Sequence, residues 1–266
     1  MKFDGSSGPR RPLPLVEVQG ISVHFGGVVA LDDVSFDVAP GQVCGLIGPN
    51  GAGKTTLFNC LSRLYAPHTG EIRFAGKPLG DLPQHHMAGL GIGRTFQNLA
   101  LFRSLSVRQN ILVGTTCRQR AGFLAHALRL PAVAREESQQ ARQVDELIEL
   151  LQLGDIQHSP VSALPFGTQK RVELARALAA SPRLLLLDEP ACGLNHHEVD
   201  QLGTLIRDLR QRFSLTVLLV EHHMGLVMAL SDKLVALNFG RKITEGTPAE
   251  VRRDPELIRA YLGEPA

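Results

Sequence analysis

Gly48-Pro49-Asn50-Gly51-Ala52-Gly53-Lys54-Thr55-Thr56 is the stretch on which the fold turns. It matches the phosphate-binding pattern G-x-x-x-x-G-K-[ST] at every fixed position. The pattern works by geometry. Glycines let the backbone turn so that successive N–H groups converge on phosphate oxygens, and a following helix N-terminus adds free donors and the positive end of its dipole. The flanks supply that setting: Val43-Cys44-Gly45-Leu46-Ile47 reads as a short buried strand, and Lys54 to Leu64 as a helix. Lys54 is expected to reach the terminal phosphates, and the Thr55 hydroxyl to hold Mg2+. A flexible glycine turn is the plain alternative, and the strand and helix on either side argue against it. The chain is expected to bind a nucleoside triphosphate.

Downstream, Leu184-Leu185-Leu186-Leu187-Asp188-Glu189 is an apolar strand ending in two carboxylates. Asp188 at the strand tip can orient the Mg2+ shell. Glu189 is suited to take the proton of an attacking water. An apolar strand ending in an acidic turn is common by itself; behind a complete phosphate loop it points to phosphoryl transfer.

Around these two motifs the chain alternates β and α. Val16, Val18, Ile21, Val23 and Phe25 form one β-like set, Val34, Phe36 and Val38 another, and Glu71 to Ala75 resembles a hairpin arm. The N-terminal third is expected to be one mixed sheet around the phosphate-loop unit. The middle, about Ser106 to Ser159, is helical in pattern, with a helix over Ala134 to Leu153 capped by Gly154. From Gly167 onward come a helix (Arg171 to Ala180), a strand (Leu184 to Leu187), a helix (Glu198 to Arg212), a strand (Thr216 to Val220), a helix (His223 to Leu230) and a closing pair of strands. That alternation predicts a parallel sheet covered on both faces.

Composition narrows the class. Hydrophobic residues make up 44 % and charged ones 20 %, ordinary values for a globular protein. A formal net charge of +2 gives no nucleic-acid footprint, so no nucleic-acid partner is expected. The four cysteines (Cys44, Cys60, Cys117, Cys192) form no zinc pattern and read as reduced thiols. His85-His86, His196-His197 and His222-His223 are sequence neighbours, whose side chains diverge, which argues against chelation. No apolar run approaches the roughly 18 residues needed to cross a bilayer. Met1 to Pro14 lacks the apolar stretch of a signal peptide and reads as a mobile tail.

Taken in order, these motifs resemble the ATP-binding-cassette ATPases. Phe25, in His24-Phe25-Gly26-Gly27, matches the aromatic that stacks on adenine in that family; burial in the core is the alternative. Gln97, in Arg94-Thr95-Phe96-Gln97, matches the glutamine that touches Mg2+ and couples to the membrane partner. His222, after Leu218-Leu219-Val220-Glu221, matches the histidine that contacts the γ-phosphate. Leu164-Pro165-Phe166-Gly167-Thr168-Gln169 stands in place of the signature Leu-Ser-Gly-Gly-Gln, which one subunit presents to the ATP of the other. Pro165 has neither the serine hydroxyl nor an N–H, so Gly167 and the helix from Thr168 are what remain to face an anion. Cys192-Gly193-Leu194-Asn195 stands where Ser-Ala-Leu-Asp is usual.

Those departures, with Glu189-Pro-Ala-Cys-Gly-Leu-Asn195, Val220-Glu-His-His-Met-Gly-Leu-Val-Met228 and the ending Arg259-Ala-Tyr-Leu-Gly-Glu264, resemble the branched-chain amino-acid importer branch. Urea and short-amide importers use closely similar subunits; lipopolysaccharide-export ATPases share the ending but keep an intact signature. The resemblance implies an α/β P-loop cassette: a mixed sheet core, an antiparallel β subdomain and a helical subdomain at about residues 98–164. One domain would span 15–262, between tails at 1–14 and 263–266. It implies ATP and Mg2+ as ligands, with catalysis by Glu189 and His222. The phosphates would be held by Gly48 to Thr56, the metal by Thr55 and Gln97 with Asp188 behind. The implied partners are two integral-membrane permease subunits, a second ATPase subunit and, indirectly, an extracytoplasmic solute-binding protein. The altered signature favours a non-identical second ATPase. The implied location is peripheral, on the cytoplasmic face of the plasma (inner) membrane. A soluble cassette acting on DNA or ribosomes and a P-loop kinase or GTPase are the competing classes. The absence of a second cassette in the chain speaks against the first, and Asp188-Glu189 with His222 against the second.

Overall fold

Leu184, Leu185, Leu186 and Leu187 are all buried, yet they serve two different cores. The computed structural model, which describes residues 13–80, 82–118 and 131–262, shows why. Their strand, β7 (Leu184–Asp188), lies inside a six-stranded sheet of order β10-β9-β3-β8-β7-β6. Its other members are β3 (Val43–Ile47), β6 (Ile92–Arg94), β8 (Thr216–Val220), β9 (Lys233–Asn238) and β10 (Arg241–Gly246). The strands β9, β3, β8, β7 and β6 run parallel, and β10 returns antiparallel to β9. With both faces covered, its inner strands are continuous apolar runs and not alternating ones.

A second sheet, of order β2-β1-β4-β5, is antiparallel throughout. It comprises β1 (Val16–Phe25), β2 (Val28–Val38), β4 (Thr69–Phe74) and β5 (Lys77–Pro78). The N-terminal third is thus divided between two sheets, not gathered into one mixed sheet: β3 leaves its neighbours in sequence and pairs with β8 and β9. The reason lies in the burial pattern. β3 is buried at every position and needs cover on both faces, whereas β1 alternates and buries one.

Helix α1 (Lys54–Leu61) lies between the sheets, with Leu57 and Phe58 fully buried beside Leu46, Leu186, Leu218, Ile21 and Leu31. The opposite face of the large sheet, through Ile47, Leu185, Leu187 and Leu219, packs on α5 (Phe166–Ala179), α6 (His196–Phe213) and α7 (Met224–Leu230). The remaining helices are α2 (His86–Leu90), α3 (Val107–Val113), α4 (Pro131–Leu150), α8 (Pro248–Val251) and α9 (Pro255–Leu262). Helices α3 and α4 pack on α5 and make up most of the described part of residues 106–159.

Several helix limits differ from those the sequence suggests, three of them for a visible reason. Helix α4 ends at Leu150, and Gln152, not Gly154, takes the left-handed position at φ 54°. The Leu153 N–H then donates to Ile148 O and the Gln152 N–H to Glu149 O, a Schellman closure built without glycine. Helix α1 stops at Leu61 in the same way, with Arg63 left-handed. Helix α5 starts at Phe166, not at Thr168 or Arg171, because extended Pro165 serves as its N-cap and Gly167 fits within the first turn. Residues 1–12 of the expected N-terminal tail, the C-terminal tail 263–266 and part of the helical insertion, residues 119–130, lie outside the described residues.

Candidate functional site

Four adjacent parallel strands end on one side of the sheet, and each delivers part of the site there. This is where open α/β sheets carry their ligands. After β3 the chain turns through Gly48, at φ 149°, where a Cβ would come within 2.2 Å of Leu237 O. Gly53, at φ 101°, has Ala30 O in the corresponding place at 2.6 Å. Only glycine fits either position. Lys54 folds back over the loop it follows, and its Nζ donates to Gly48 O (2.7 Å) and Pro49 O (2.9 Å). Burial pushes the Lys54 ammonium pKa down, and the Glu189 carboxylate pulls it back up. Thr55 is exposed at the first turn of α1, followed by half-buried Thr56, and Asn50 and Gly51 are exposed at the loop's crest.

Asp188, only 3 % exposed, ends β7. Arg94 at the tip of β6 donates from Nη2 to its Oδ2 at 2.9 Å. Burial pushes the Asp188 carboxyl above its ordinary value, and the guanidinium offsets part of that. The other arm of Arg94 reaches Asn59 Oδ1 (2.9 Å) and Ser62 Oγ on α1, locking the phosphate-loop helix to the carboxylate strand.

Glu189 takes a left-handed backbone conformation, φ 47°, with its N–H donated to Val220 O at 2.9 Å. Its side chain is held from two sides. Gln97 Nε2 donates to Oε2 at 2.9 Å, and His222 Nε2 lies 2.9 Å from Oε1. The two nearest sequence candidates thus meet on the third. With its nitrogen committed to Glu189, the Gln97 amide offers its oxygen to a cation. The Thr55 hydroxyl, that amide oxygen and the Asp188 carboxylate are all oxygen donors, the chemistry Mg2+ prefers. The set therefore fits the metal the sequence suggests.

Phe25 and Gly167 lie outside this group. Phe25 ends β1 on the antiparallel sheet and is 46 % exposed, which rules out the core alternative. Its ring stands edge-on to Tyr65, centroids 5.2 Å apart. Gly167 sits in the first turn of α5, so the free N–H groups there number one turn's worth, beginning before Thr168. One turn on, Lys170 Nζ donates to the Glu189 backbone O at 3.3 Å. Phe166 lies under that ammonium and over Gly193, where an added Cβ would sit 3.0 Å from the ring. The bulky residue in the signature is thus matched by glycine across from it, in the run that departs from Ser-Ala-Leu-Asp. Asn195 is occupied locally: Oδ1 accepts the Glu198 N–H at 3.0 Å, and Glu198 returns the bond, capping α6. A cavity of about 560 Å³ runs between α5 and α6, lined by Gly167, Lys170, Pro190 and Leu194 among others.

Three further residues hold the site and were not singled out by sequence. Arg94 was passed over because β6 is only three residues long, too short for any periodicity. Glu221, directly after β8, accepts the N–H groups of Ala191, His222 and His223, pinning the chain after Glu189 to the histidine turn. It carries the signal that marked Asp188: an acid closing an apolar run. Glu173, buried inside α5, accepts the N–H of Phe96 (3.2 Å) and of Ala100 (3.3 Å) through Oε1. On the helix it looks like one more charge on a solvated face.

Residues 31–192 match the family described as ABC transporter, and residues 241–266 match the branched-chain amino acid ATP-binding cassette transporter family. The chain belongs to the ABC transporter ATP-binding family. As a cassette of that family it binds nucleotide, and it is an ATPase. It is similar to the high-affinity branched-chain amino acid transport ATP-binding protein BraF of Pseudomonas aeruginosa, with 43 % identity over 94 % of this chain and 98 % of that protein. It shares 40 % identity with LivG of Escherichia coli, of the same description, over the same shares. The lipopolysaccharide export system ATP-binding protein LptB of Acidithiobacillus ferridurans is 35 % identical over 94 % of this chain and 97 % of its own. Among solved structures, a nucleotide-free ATP-binding cassette from an ABC transporter superposes with a TM-score of 0.81 at 27 % identity, covering 95 % of this chain and all of that one. The cassette architecture of two sheets and a helical layer is therefore that of the family.

Proposed function

We propose that this ABC ATPase energises the import of branched-chain amino acids. The reading is carried by identity of 40–43 % along almost the whole chain to ATP-binding proteins of branched-chain amino-acid transport. The match of residues 241–266 to the branched-chain cassette family supports it. In this reading Phe25 stacks on adenine, an interaction worth about 1–3 kcal/mol per base in nucleic-acid systems. Gly48 to Thr56 surround the phosphates, and the Lys54 ammonium exchanges the Gly48 and Pro49 carbonyls for phosphate oxygens. Thr55 and Gln97 would hold Mg2+ with Asp188 behind them, and the metal would supply positive charge to offset that of the phosphates.

Glu189 takes a proton from water as the water oxygen bonds to the γ-phosphorus. The bond from that phosphorus to the bridging oxygen breaks, and ADP and phosphate leave. His222, set by Glu221, orients the Glu189 carboxylate and then faces the γ-phosphate. Gly167 and the first turn of α5 face the ATP of a second ATPase subunit. Closure of that pair is transmitted through the Gln97 loop to two permease subunits, which receive solute from an extracytoplasmic binding protein. No helix among the described residues is long and apolar enough to cross a membrane. In this reading, which rests on the similarity to transporter ATPase subunits, the chain docks peripherally on the cytoplasmic face of the inner membrane through those permeases.

Uptake of labelled leucine and of labelled urea in a strain lacking this gene tests the assignment. Wild-type chain is expected to restore leucine uptake and the Glu189→Gln form to fail. Unchanged leucine uptake with lost urea uptake would transfer the same motor to a short-amide importer.

A further inference from the structure

A hydrogen bond joins the C-terminal helix α9 to the phosphate loop. The Gly48 N–H donates to Tyr261 Oη at 2.9 Å, across 213 residues of sequence. Beside this bond the two elements stand apart, with a cavity of about 530 Å³ between Pro49 to Ala52 on one side and Glu256, Arg259 and Ala260 on the other. The hydroxyl therefore acts as a tether across a gap and not as part of a packed face. Burial pushes the phenol pKa above its ordinary value, so at neutral pH the oxygen is a neutral acceptor.

Gly48 joins two peptide planes. Tyr261 holds the first through its N–H, and Lys54 Nζ holds the second through Gly48 O. Between them lie only the two dihedrals of Gly48, and glycine leaves those dihedrals loose. Release of the first plane would let the Gly48 carbonyl swing and change how tightly Lys54 is retained. We propose that Tyr261 is a positioning residue of the phosphate loop, through which α9 sets nucleotide affinity and not the hydrolytic step. This rests on the reading of Gly48 to Thr56 as the nucleotide site.

Tyr261→Phe keeps the ring and removes the acceptor, leaving a buried N–H unpaired. In the full-length chain, with a fluorescent ADP as probe for affinity and MgATP for turnover, Kd and KM should rise about 5- to 30-fold. Turnover at saturation should stay within about twofold of wild type. Hydrogen exchange should quicken in peptides covering residues 43–53 and not in the β1–β2 sheet. A Kd within twofold of wild type overturns the proposal. So does a fall in kcat at unchanged Kd, or exchange that quickens throughout the chain. Failure of the wild-type chain itself to bind the probe would overturn the reading of the loop instead. Should the Phe variant fold poorly, Tyr261→His offers an acceptor in a smaller ring. Affinity within about fivefold of wild type supports the tether, and a loss beyond about 30-fold counts against it.

Discussion

The hydrolytic end of the sheet and the signature edge of α5 belong to the same cassette but are built in opposite ways. At the strand tips the key side chains have partners within the chain: Lys54 on the loop carbonyls, Arg94 on Asp188, Gln97 and His222 on Glu189. At the signature edge the polar groups are absent or spent inside. Pro165 has no N–H, Phe166 is matched in shape to Gly193, and Asn195 caps α6. The first region is preorganised and complete in one chain. The second is a surface shaped by local packing, and the free N–H groups it keeps at the start of α5 would, in the proposed reading, face the ATP of a second subunit. Substitutions should sort accordingly.

The largest effect belongs to Glu189→Gln, which should lower turnover by about 10²–10⁴-fold while nucleotide binding persists, as steady-state ATPase and a binding titration would show. Near-normal turnover would remove Glu189 from its role. Next, Arg94→Met strands the buried Asp188 charge and should cost about 3–5 kcal/mol in urea unfolding. A loss under 1 kcal/mol would mean that Asp188 finds another partner. On the signature side, Gly193→Ala should cost roughly 1–3 kcal/mol, from the left-handed backbone and the Phe166 ring together. In a Phe166→Ala background that cost should shrink; strict additivity would break the shape-matching account.

Smallest is Glu173. Burial raises its pKa above 4.5, so the folded chain holds that proton longer than the unfolded one. Its contribution is therefore fullest below pH 4.5 and is lost as pH rises through the raised value. Glu173→Gln should gain on wild type in urea midpoint as pH climbs from there to about 8, and parallel curves would refute the sign.

Sequence spoke most clearly where chemistry restricts residue type. The phosphate loop was legible because Gly48 and Gly53 occupy positions no other residue fits, and Asp188-Glu189 because a buried strand has few reasons to end in two acids. Long, strongly patterned strands were legible too. Residues whose role comes from contact across the fold were not. Arg94, Glu173 and Tyr261 each lie in segments whose local pattern is ordinary, and each bonds to a segment far away in sequence. Helix ends failed for a related reason: Gln152 and Arg63 accept a conformation usually left to glycine, so Gly154 was a misleading stop sign.

Glu173 carries a consequence beyond its pH dependence. Its single oxygen takes two amides at the ends of residues 96–100 while its backbone belongs to the helix that begins with the signature. One buried side chain therefore ties that loop to the helix behind it, so the loop cannot leave the helix without stranding a buried carboxyl.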